Sequence, residues 1–315
     1  MVGILADAFK LNLEVPPPIA KFLSLYLLMA LGLKGGFALA KSRLTDTAVI
    51  ALSAAVLMAF IVPILGYMFL RKRVARYDAA AVAAAYGSVS AVTFVTAMQV
   101  LEGSKLPYGG YMAVAMVLME SPAIIMAVLL ANMLRHQNGI SSAPATENAK
   151  NSLSLAKILK ESFTDGAHFL LLGSMAVGVI SGEAGKAMML PFTGDLFKGM
   201  LAFFLLDMGL MVARNFAAAR QASPVLIAYA SLGPVVHASI ALGLALLLKL
   251  GAGDAALLMI LSASASYIVV PAVLRYAIPE ANPSIYFGLS LGITFPLNIM
   301  LGIPLYVYVA GRVLT

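Results

Sequence analysis

The chain has 315 residues, of which 62 % are hydrophobic and only 11 % are charged, whereas soluble proteins carry roughly half and a quarter. Too few polar side chains remain to cover a water-facing surface, and the long apolar runs exclude a transmembrane β-barrel, so the composition predicts an all-α polytopic membrane protein. The chain has no cysteine, which excludes disulfides and thiolate chemistry. We attribute the net charge of +7 to membrane topology rather than to nucleic-acid binding.

Apolar runs of about 20 residues predict nine transmembrane helices. In chain order they cover residues 19–40, 47–70, 78–101, 110–134, 167–190, 195–216, 223–250, 254–278 and 284–309. A further apolar segment, 2–13, is too short to cross the membrane. The polar stretch 135–165 is typical of a linker, and 153–163 within it is a candidate interfacial helix.

The basic residues of the loops are divided unequally between the two sides of the membrane. The side that holds the linker has twelve. The other side has seven, which are Lys41, Arg43, Lys105, Lys186, Lys198, Lys249 and Arg312. Because cytoplasmic loops are richer in Lys and Arg, this division predicts a cytoplasmic linker and a C-terminus outside the cell.

The sequence repeats itself at an offset of about 176 residues. Asp78-Ala-Ala recurs as Asp254-Ala-Ala, Ser88 and Ser90 fall on Ser264 and Ser266, and Pro122 falls on Pro296. We therefore expect a first repeat at 1–134, a linker at 135–165 and a second repeat of five helices at 166–315. The loop charges give the repeats opposite orientations, which is typical of secondary transporters. By this comparison the first helix of the first repeat is truncated in the present sequence.

Small polar residues interrupt one predicted span in each repeat. The first reads Tyr86-Gly-Ser-Val-Ser-Ala-Val-Thr-Phe94, and the second reads Ser262-Ala-Ser-Ala-Ser-Tyr-Ile-Val-Val-Pro271. Such residues weaken a helix and free backbone groups, which are tolerated at membrane depth where they line a wet cavity or bind a ligand. The alternative is close helix packing. The substrate-binding candidates are Ser88, Ser90, Thr93, Phe94, Ser264, Ser266 and Tyr267.

Two carboxylates, Glu120 and Asp207, lie in the middle of predicted spans. A buried carboxylate is costly and usually has a cation, a proton or an ion-pair partner, for which Lys34 is a candidate. Thr294 is the repeat counterpart of Glu120, and Asn298 lies one turn beyond it. These four oxygen-bearing side chains are our Na⁺ candidates, since one carboxylate with neutral ligands suits a weakly bound monovalent cation. The alternative for each carboxylate is a structural ion pair or a capped helix break.

With these motifs in place, the chain resembles the sodium-dependent bicarbonate transporter family of cyanobacteria and other bacteria. The resemblance is most specific in Ser264-Ala-Ser-Tyr-Ile268, Pro279-Glu-Ala-Asn-Pro-Ser-Ile-Tyr286 and Leu291-Gly-Ile-Thr-Phe-Pro296. It implies ten spans in two inverted repeats of five, each with one broken helix, and Na⁺/HCO₃⁻ symport across the bacterial plasma membrane. It also implies a homotrimer, a PII-like regulator on the cytoplasmic side and no cofactor beyond the coupling Na⁺.

One departure leaves the substrate open. The cyanobacterial members read Val-Ser-Gly-Ser-Thr-Met where this chain has Val89-Ser-Ala-Val-Thr-Phe94, so that Val92 lacks a hydroxyl and Phe94 adds bulk. Another small anion or carboxylate, or H⁺ in place of Na⁺, is the main alternative, and a passive anion channel is a further one. We do not expect an enzyme, because no catalytic His, Cys or metal triad is apparent at membrane depth.

Overall fold

The structure is a computed structural model that describes residues 15–42, 45–137, 166–220 and 222–314. Over these ranges the regular elements are helices, without a β-strand. They are α1 (Pro17–Ser42), α2 (Asp46–Leu70), α3 (Arg76–Gly87), α4 (Ala91–Gly103), α5 (Met112–Gln137), α6 (Gly166–Thr193), α7 (Asp195–Arg220), α8 (Pro224–Leu247), α9 (Ala252–Ala263), α10 (Val269–Ala277) and α11 (Pro283–Val313). The predicted segments 2–13 and 153–163, and the linker from residue 138 onward, lie outside the described residues.

Eight helical segments of the described chain are long and apolar enough to cross a bilayer, which confirms the predicted all-α membrane protein. The predicted span 254–278 is divided between α9 and α10 at its serine-rich interruption. These helices have 12 and 9 residues, or about 18 and 14 Å at 1.5 Å per residue. Each is shorter than the hydrocarbon core of about 30 Å.

A non-helical segment lies at each serine-rich motif. Between α3 and α4, Ser90 is extended (φ −110°, ψ 112°) and its side chain accepts a hydrogen bond from the Thr93 N–H, which caps α4. Between α9 and α10, Ser264 is also extended (φ −82°, ψ 167°). A serine hydroxyl competes with the helical ladder for backbone groups, so these residues stop one helix and start the next.

Helices α1 and α6 pack closely through glycine. A Cβ added to Gly36 would lie 2.8 Å from the Cα of Gly178 and 2.9 Å from the N of Val179. Tyr26 of α1 donates its hydroxyl to the carbonyl of Phe192 near the end of α6. Small residues allow such close approach, which is how helices associate where no hydrophobic effect drives them together.

The short helices α3 and α9 are the most completely buried elements of the molecule. Every residue of α3 from Ala79 to Gly87 is buried, as is α9 from Gly253 to Ala263. The opposite is true of α6, whose apolar side chains Phe169, Ile180 and Met188 are exposed. The fold therefore surrounds α3, α4 and α9 with longer helices and places the two non-helical segments in its interior.

The last helix, α11, is locally widened into π-helical turns at Gly288–Thr294 and Asn298–Gly302. Pro296 and Pro304 accompany these turns, and neither can donate the N–H that a regular helix requires. π-Turns of this kind are frequent at functional positions because they re-aim the side chains around them. Thr294 and Asn298 belong to these turns.

Candidate functional site

The two non-helical segments meet in the interior and are joined by reciprocal hydrogen bonds. The Ser90 N–H donates to Ser264 Oγ at 3.1 Å. In the other direction, the Ser266 N–H donates to the carbonyl of Ala85 at 2.9 Å. Backbone groups that leave the helical ladder of one segment are thus satisfied by the other, which is what a membrane interior demands.

The side chain of Tyr267 adds further contacts to this junction. Its hydroxyl accepts from Ser90 Oγ at 3.5 Å and lies 3.9 Å from the sulfur of Met208 on α7. Its ring packs against Phe295 of α11 with a centroid distance of 5.4 Å. Ser266 caps α10 by accepting from the Val270 N–H at 3.3 Å. The structure therefore brings Ser90, Ser264, Ser266 and Tyr267 together, as one cluster contributed by both motifs.

A cavity of about 110 Å³ lies beside this cluster. That volume exceeds the roughly 30 Å³ that one water molecule occupies in the liquid, so the cavity has room for a small ion. Its polar lining residues are Ser24, Ser90, Glu120, Ser266 and Tyr267. The first residues of two helices also line it, namely Ala91 and Val92 of α4 and Val269 of α10. The N-terminal ends of two helices therefore face one cavity.

Two further hydroxyls of the first motif are buried without a hydrogen-bond partner. Ser88 Oγ and Thr93 Oγ1 are both inaccessible, and neither has an acceptor or donor within reach among the described residues. A buried hydroxyl that makes no hydrogen bond costs about 1–3 kcal/mol. Each of these hydroxyls can therefore gain a hydrogen bond when a ligand binds or the conformation changes.

The two mid-span carboxylates occupy different places. Glu120 lies on α5 and lines the cavity, whereas Asp207 on α7 is buried but does not line it. Lys34 partners neither carboxylate: its Nζ lies 2.9 Å from Glu102 Oε1 and 4.6 Å from the centre of the Phe197 ring. The candidate pairing of Lys34 with Glu120 or Asp207 was wrong, because α1 faces the C-terminal turn of α4 at this level.

Thr294 and Asn298 make structural hydrogen bonds near the cluster. Thr294 donates to the carbonyl of Ala230 at 2.8 Å and lies 2.5 Å from the hydroxyl of Tyr86. Asn298 donates its amide to the carbonyl of Ala263, the last residue of α9, at 2.8 Å. Neither residue is among those that line the cavity. Tyr86 was not among the predicted site residues, although it opens the first serine motif.

Phe94 faces a second, larger space. A cleft of about 1170 Å³ lies on the other side of the first turns of α4. Phe94 and Met98 line the cleft, whereas Val92 and Val95 line the cavity. Because residues on opposite faces of one helix line the two spaces, the start of α4 is the wall between them. Phe94, a predicted ligand contact, lies in that wall and lines the cleft.

The sequence comparison fits this arrangement of apolar helices around a polar centre. Residues 1–311 match the model of the Na⁺-dependent bicarbonate transporter superfamily. The chain belongs to this superfamily. No curated protein gives a significant match. The match and the eight apolar helices together make the protein a multi-pass membrane protein of a transporter superfamily.

Two aspartates of this transporter hold loops that are distant in sequence, a role that the sequence analysis missed. Asp254, in the first turn of α9, accepts from the Gly109 N–H at 2.7 Å and from the Tyr111 hydroxyl. Asp78, its repeat counterpart on α3, accepts from the Asn282 N–H at 2.8 Å. The recurrence of Asp-Ala-Ala was the available signal, since an acidic residue in a first helical turn is favoured by the helix dipole.

Proposed function

We propose that the transporter is a Na⁺-coupled symporter of a small monovalent anion, with bicarbonate as the first candidate, and that it works by alternating access. The observation that carries this proposal is the cavity beside the two hydrogen-bonded serine motifs. It combines hydroxyl donors and two helix N-termini with one carboxylate, Glu120. An anion and a cation could therefore be held close together, so that binding of each favours binding of the other.

The anion would bind to the hydroxyls and helix ends of the cluster. The N-terminal ends of α4 and α10 carry partial positive charge and backbone N–H groups that no helical carbonyl accepts. Ser90, Ser266 and Tyr267 add hydroxyl groups that can donate to an oxyanion. We infer that Ser88 and Thr93 join these ligands during the transport cycle, since both hydroxyls are buried beside the same segment. Val92 contributes bulk but no hydrogen bond.

The coupling ion would lie near Glu120. A carboxylate with neutral hydroxyl and carbonyl oxygens suits a monovalent cation. Ser24 on α1 lines the same cavity and is a neutral candidate ligand. We propose that Asn298 supports the site indirectly by holding the end of α9, and that Thr294 does so through Tyr86 and the Ala230 carbonyl. Asp207 would act through its neighbour Met208 on Tyr267.

We further propose that the two interrupted spans are the broken helices of inverted repeats at 1–134 and 166–315. Three observations support this: the repeat offset, the reciprocal bonds between the motifs and the matched Asp78 and Asp254 contacts. If the two repeats exchange their conformations, the cavity is exposed to each side of the membrane in turn.

We propose that the chain is a bacterial plasma-membrane protein with linker 135–165 in the cytoplasm and the C-terminus outside. A homotrimer and a PII-like regulator follow from the resemblance, and native mass spectrometry in detergent tests the trimer.

The decisive experiment is uptake of labelled bicarbonate by proteoliposomes with and without a Na⁺ gradient. We expect uptake that depends on Na⁺ and saturates with bicarbonate. Na⁺-dependent uptake of another anion in place of bicarbonate would change the substrate but keep the mechanism. Flux that needs no Na⁺ and never saturates would replace the symporter with a channel.

Substitutions separate the roles within the site. Glu120→Gln should abolish the Na⁺ dependence of uptake. If uptake instead loses only its pH dependence, the protein is a proton-coupled carrier. Ser90→Ala and Ser266→Ala should each raise the anion KM about 10- to 100-fold, because a hydrogen bond to a charged ligand contributes about 1.5–3 kcal/mol. Ser239→Ala is the matched control, since that hydroxyl donates only to Val235 of its own helix. An equal effect of all three serine variants would contradict the assignment.

A further inference from the structure

The 1170 Å³ cleft has a charge pattern that the transport site does not account for. Its charged lining residues are Lys34, Glu102, Lys105, Lys186, Asp195 and Lys198. The basic side chains outnumber the acidic ones by four to two, in a chain where charge is rare overall. The remaining lining is mostly apolar, and walls of low dielectric concentrate an electric field into the water between them.

The acidic side chains of the cleft are already engaged. Glu102 accepts from Lys34 at 2.9 Å, from Gln99 at 3.1 Å and from the Tyr108 hydroxyl at 3.1 Å. Asp195 lies 3.5 Å from Lys198 on the same helix. Burial, and after it the charge of Glu102, raises the pKa of the Tyr108 hydroxyl, so Tyr108 stays neutral. Lys186 in turn lies 3.7 Å from Glu183, which does not line the cleft. Three of the four lysines thus have a carboxylate partner, and the excess positive charge is that of Lys105.

Lys105 contributes most clearly to that excess. It is exposed on the loop after α4 and makes no ion pair with any residue in the described part of the chain. Its backbone has a φ of 55°, which is unusual for a residue other than glycine. The loop that carries it is held to α9 through Gly109 and Asp254. A cation is therefore presented at a defined place on the cleft wall.

We propose that this cleft is an anion-collecting vestibule, in which Lys105, flanked by the ion-paired Lys186 and Lys198, raises the local concentration of small, hydrated monovalent anions beside the wall formed by Phe94. The inference rests on the proposed function for its substrate and sidedness, since the loop charges place these lysines on the extracytoplasmic side. The cleft is far larger than a small anion, so it attracts anions electrostatically and does not enclose one. It supplies anion to the cavity on the other face of α4.

The test measures the electrostatic potential directly and requires no transport. The chain has no cysteine, so a single introduced one reports on its surroundings. Leu190→Cys places a thiol at an exposed cleft position, and Leu247→Cys places one at an exposed position outside the cleft. The measured quantity is the ratio of reaction rates with an anionic and a cationic methanethiosulfonate reagent, both impermeant and added to the purified protein at low salt.

We expect Leu190→Cys to favour the anionic reagent relative to Leu247→Cys. Addition of Lys105→Gln should lower the ratio about two- to fivefold, since a unit charge about 10 Å away in water acts oppositely on the two reagents. Lys249→Gln is the matched control, because Lys249 lies on the same proposed side, outside the cleft, at a φ of 53°. The difference in rate ratio between Leu190→Cys and Leu247→Cys should vanish at 1 M salt.

Equal ratios at the two cysteines, or an equal effect of Lys105→Gln and Lys249→Gln, would overturn the vestibule. A second measurement links it to transport: Lys105→Gln should lower kcat/KM for the anion and flatten its salt dependence while kcat stays unchanged. If no anion is transported, the proposed function fails but the thiol ratios still decide whether the vestibule exists.

Discussion

Asp254 provides the sharpest test of how α9 is held to the loop between α4 and α5. Its carboxylate is 7 % exposed and accepts two hydrogen bonds from the loop between α4 and α5. Burial, followed by the hydrogen bond to Asp254, raises the pKa of Tyr111, which therefore remains a donor at neutral pH. Asp254→Ala leaves the Gly109 N–H and the Tyr111 hydroxyl without their acceptor.

Each donor left unsatisfied costs about 1–3 kcal/mol, so the variant should lose about 2–5 kcal/mol of unfolding free energy. For a chain of this size that corresponds to a decrease of roughly 4–10 °C in unfolding temperature. Asp78→Ala is the internal comparison, since its side chain accepts one bond from the more exposed Asn282 N–H. It should lose only about 0.5–1.5 kcal/mol, because water can replace that acceptor.

The assay is thermal unfolding in detergent, followed by near-ultraviolet circular dichroism of the tyrosines, since the chain has no tryptophan. Asp254→Asn should fall between the wild type and Asp254→Ala, because its amide keeps one acceptor oxygen. Combining Tyr111→Phe with Asp254→Ala should cost less than the sum of the single changes. If Asp78→Ala destabilises the protein as much as Asp254→Ala does, burial of the acceptor is not the cause and the reasoning fails.

Three other predictions address packing, pH and the end of α9. Gly36→Ala should separate α1 from α6 and lower the unfolding temperature, whereas Gly173→Ala, which has no neighbour within 4 Å of the added carbon, should not; equal shifts would contradict the close packing. Burial raises the pKa of Glu280, but the hydrogen bonds and charge of Arg135 outweigh it and hold that pKa below its ordinary value. The ion pair should therefore stabilise the protein above about pH 4.5 and lose its effect as the pH falls through the lowered pKa. Glu280→Gln should lower the free energy of unfolding by less than about 1 kcal/mol, since the pair is partly exposed. The corresponding difference in unfolding temperature should shrink on acidification, and a difference independent of pH would refute this. Asn298→Ala should cost about 1–3 kcal/mol because it leaves the Ala263 carbonyl unpaired in the interior, and a neutral result in thermal unfolding would remove that role.

Patterns local to the chain were sufficient for the membrane class, for most helices and for the two serine motifs. Hydropathy over 20 residues is a local property, and it located eight of the nine predicted spans. It did not separate α9 from α10, or α3 from α4, because a window of about 20 residues averages over both short helices and the few residues between them. Serine runs marked where these helices end because a hydroxyl close to the backbone competes for hydrogen bonds regardless of the rest of the fold.

The partners of the polar side chains depended on contacts between residues far apart in sequence. Ser90 bonds to Ser264 across 174 positions, and Lys34 bonds to Glu102 rather than to a mid-span carboxylate. Placement of Phe94 in the cleft wall and of Glu120 in the cavity depends on how α4 and α5 are rotated about their axes. That rotation is set by packing against other helices, and a side chain one residue away points about 100° elsewhere. The amino-acid order thus decided that two polar interruptions would lie inside a membrane protein, and the packing of the helices decided which groups meet there.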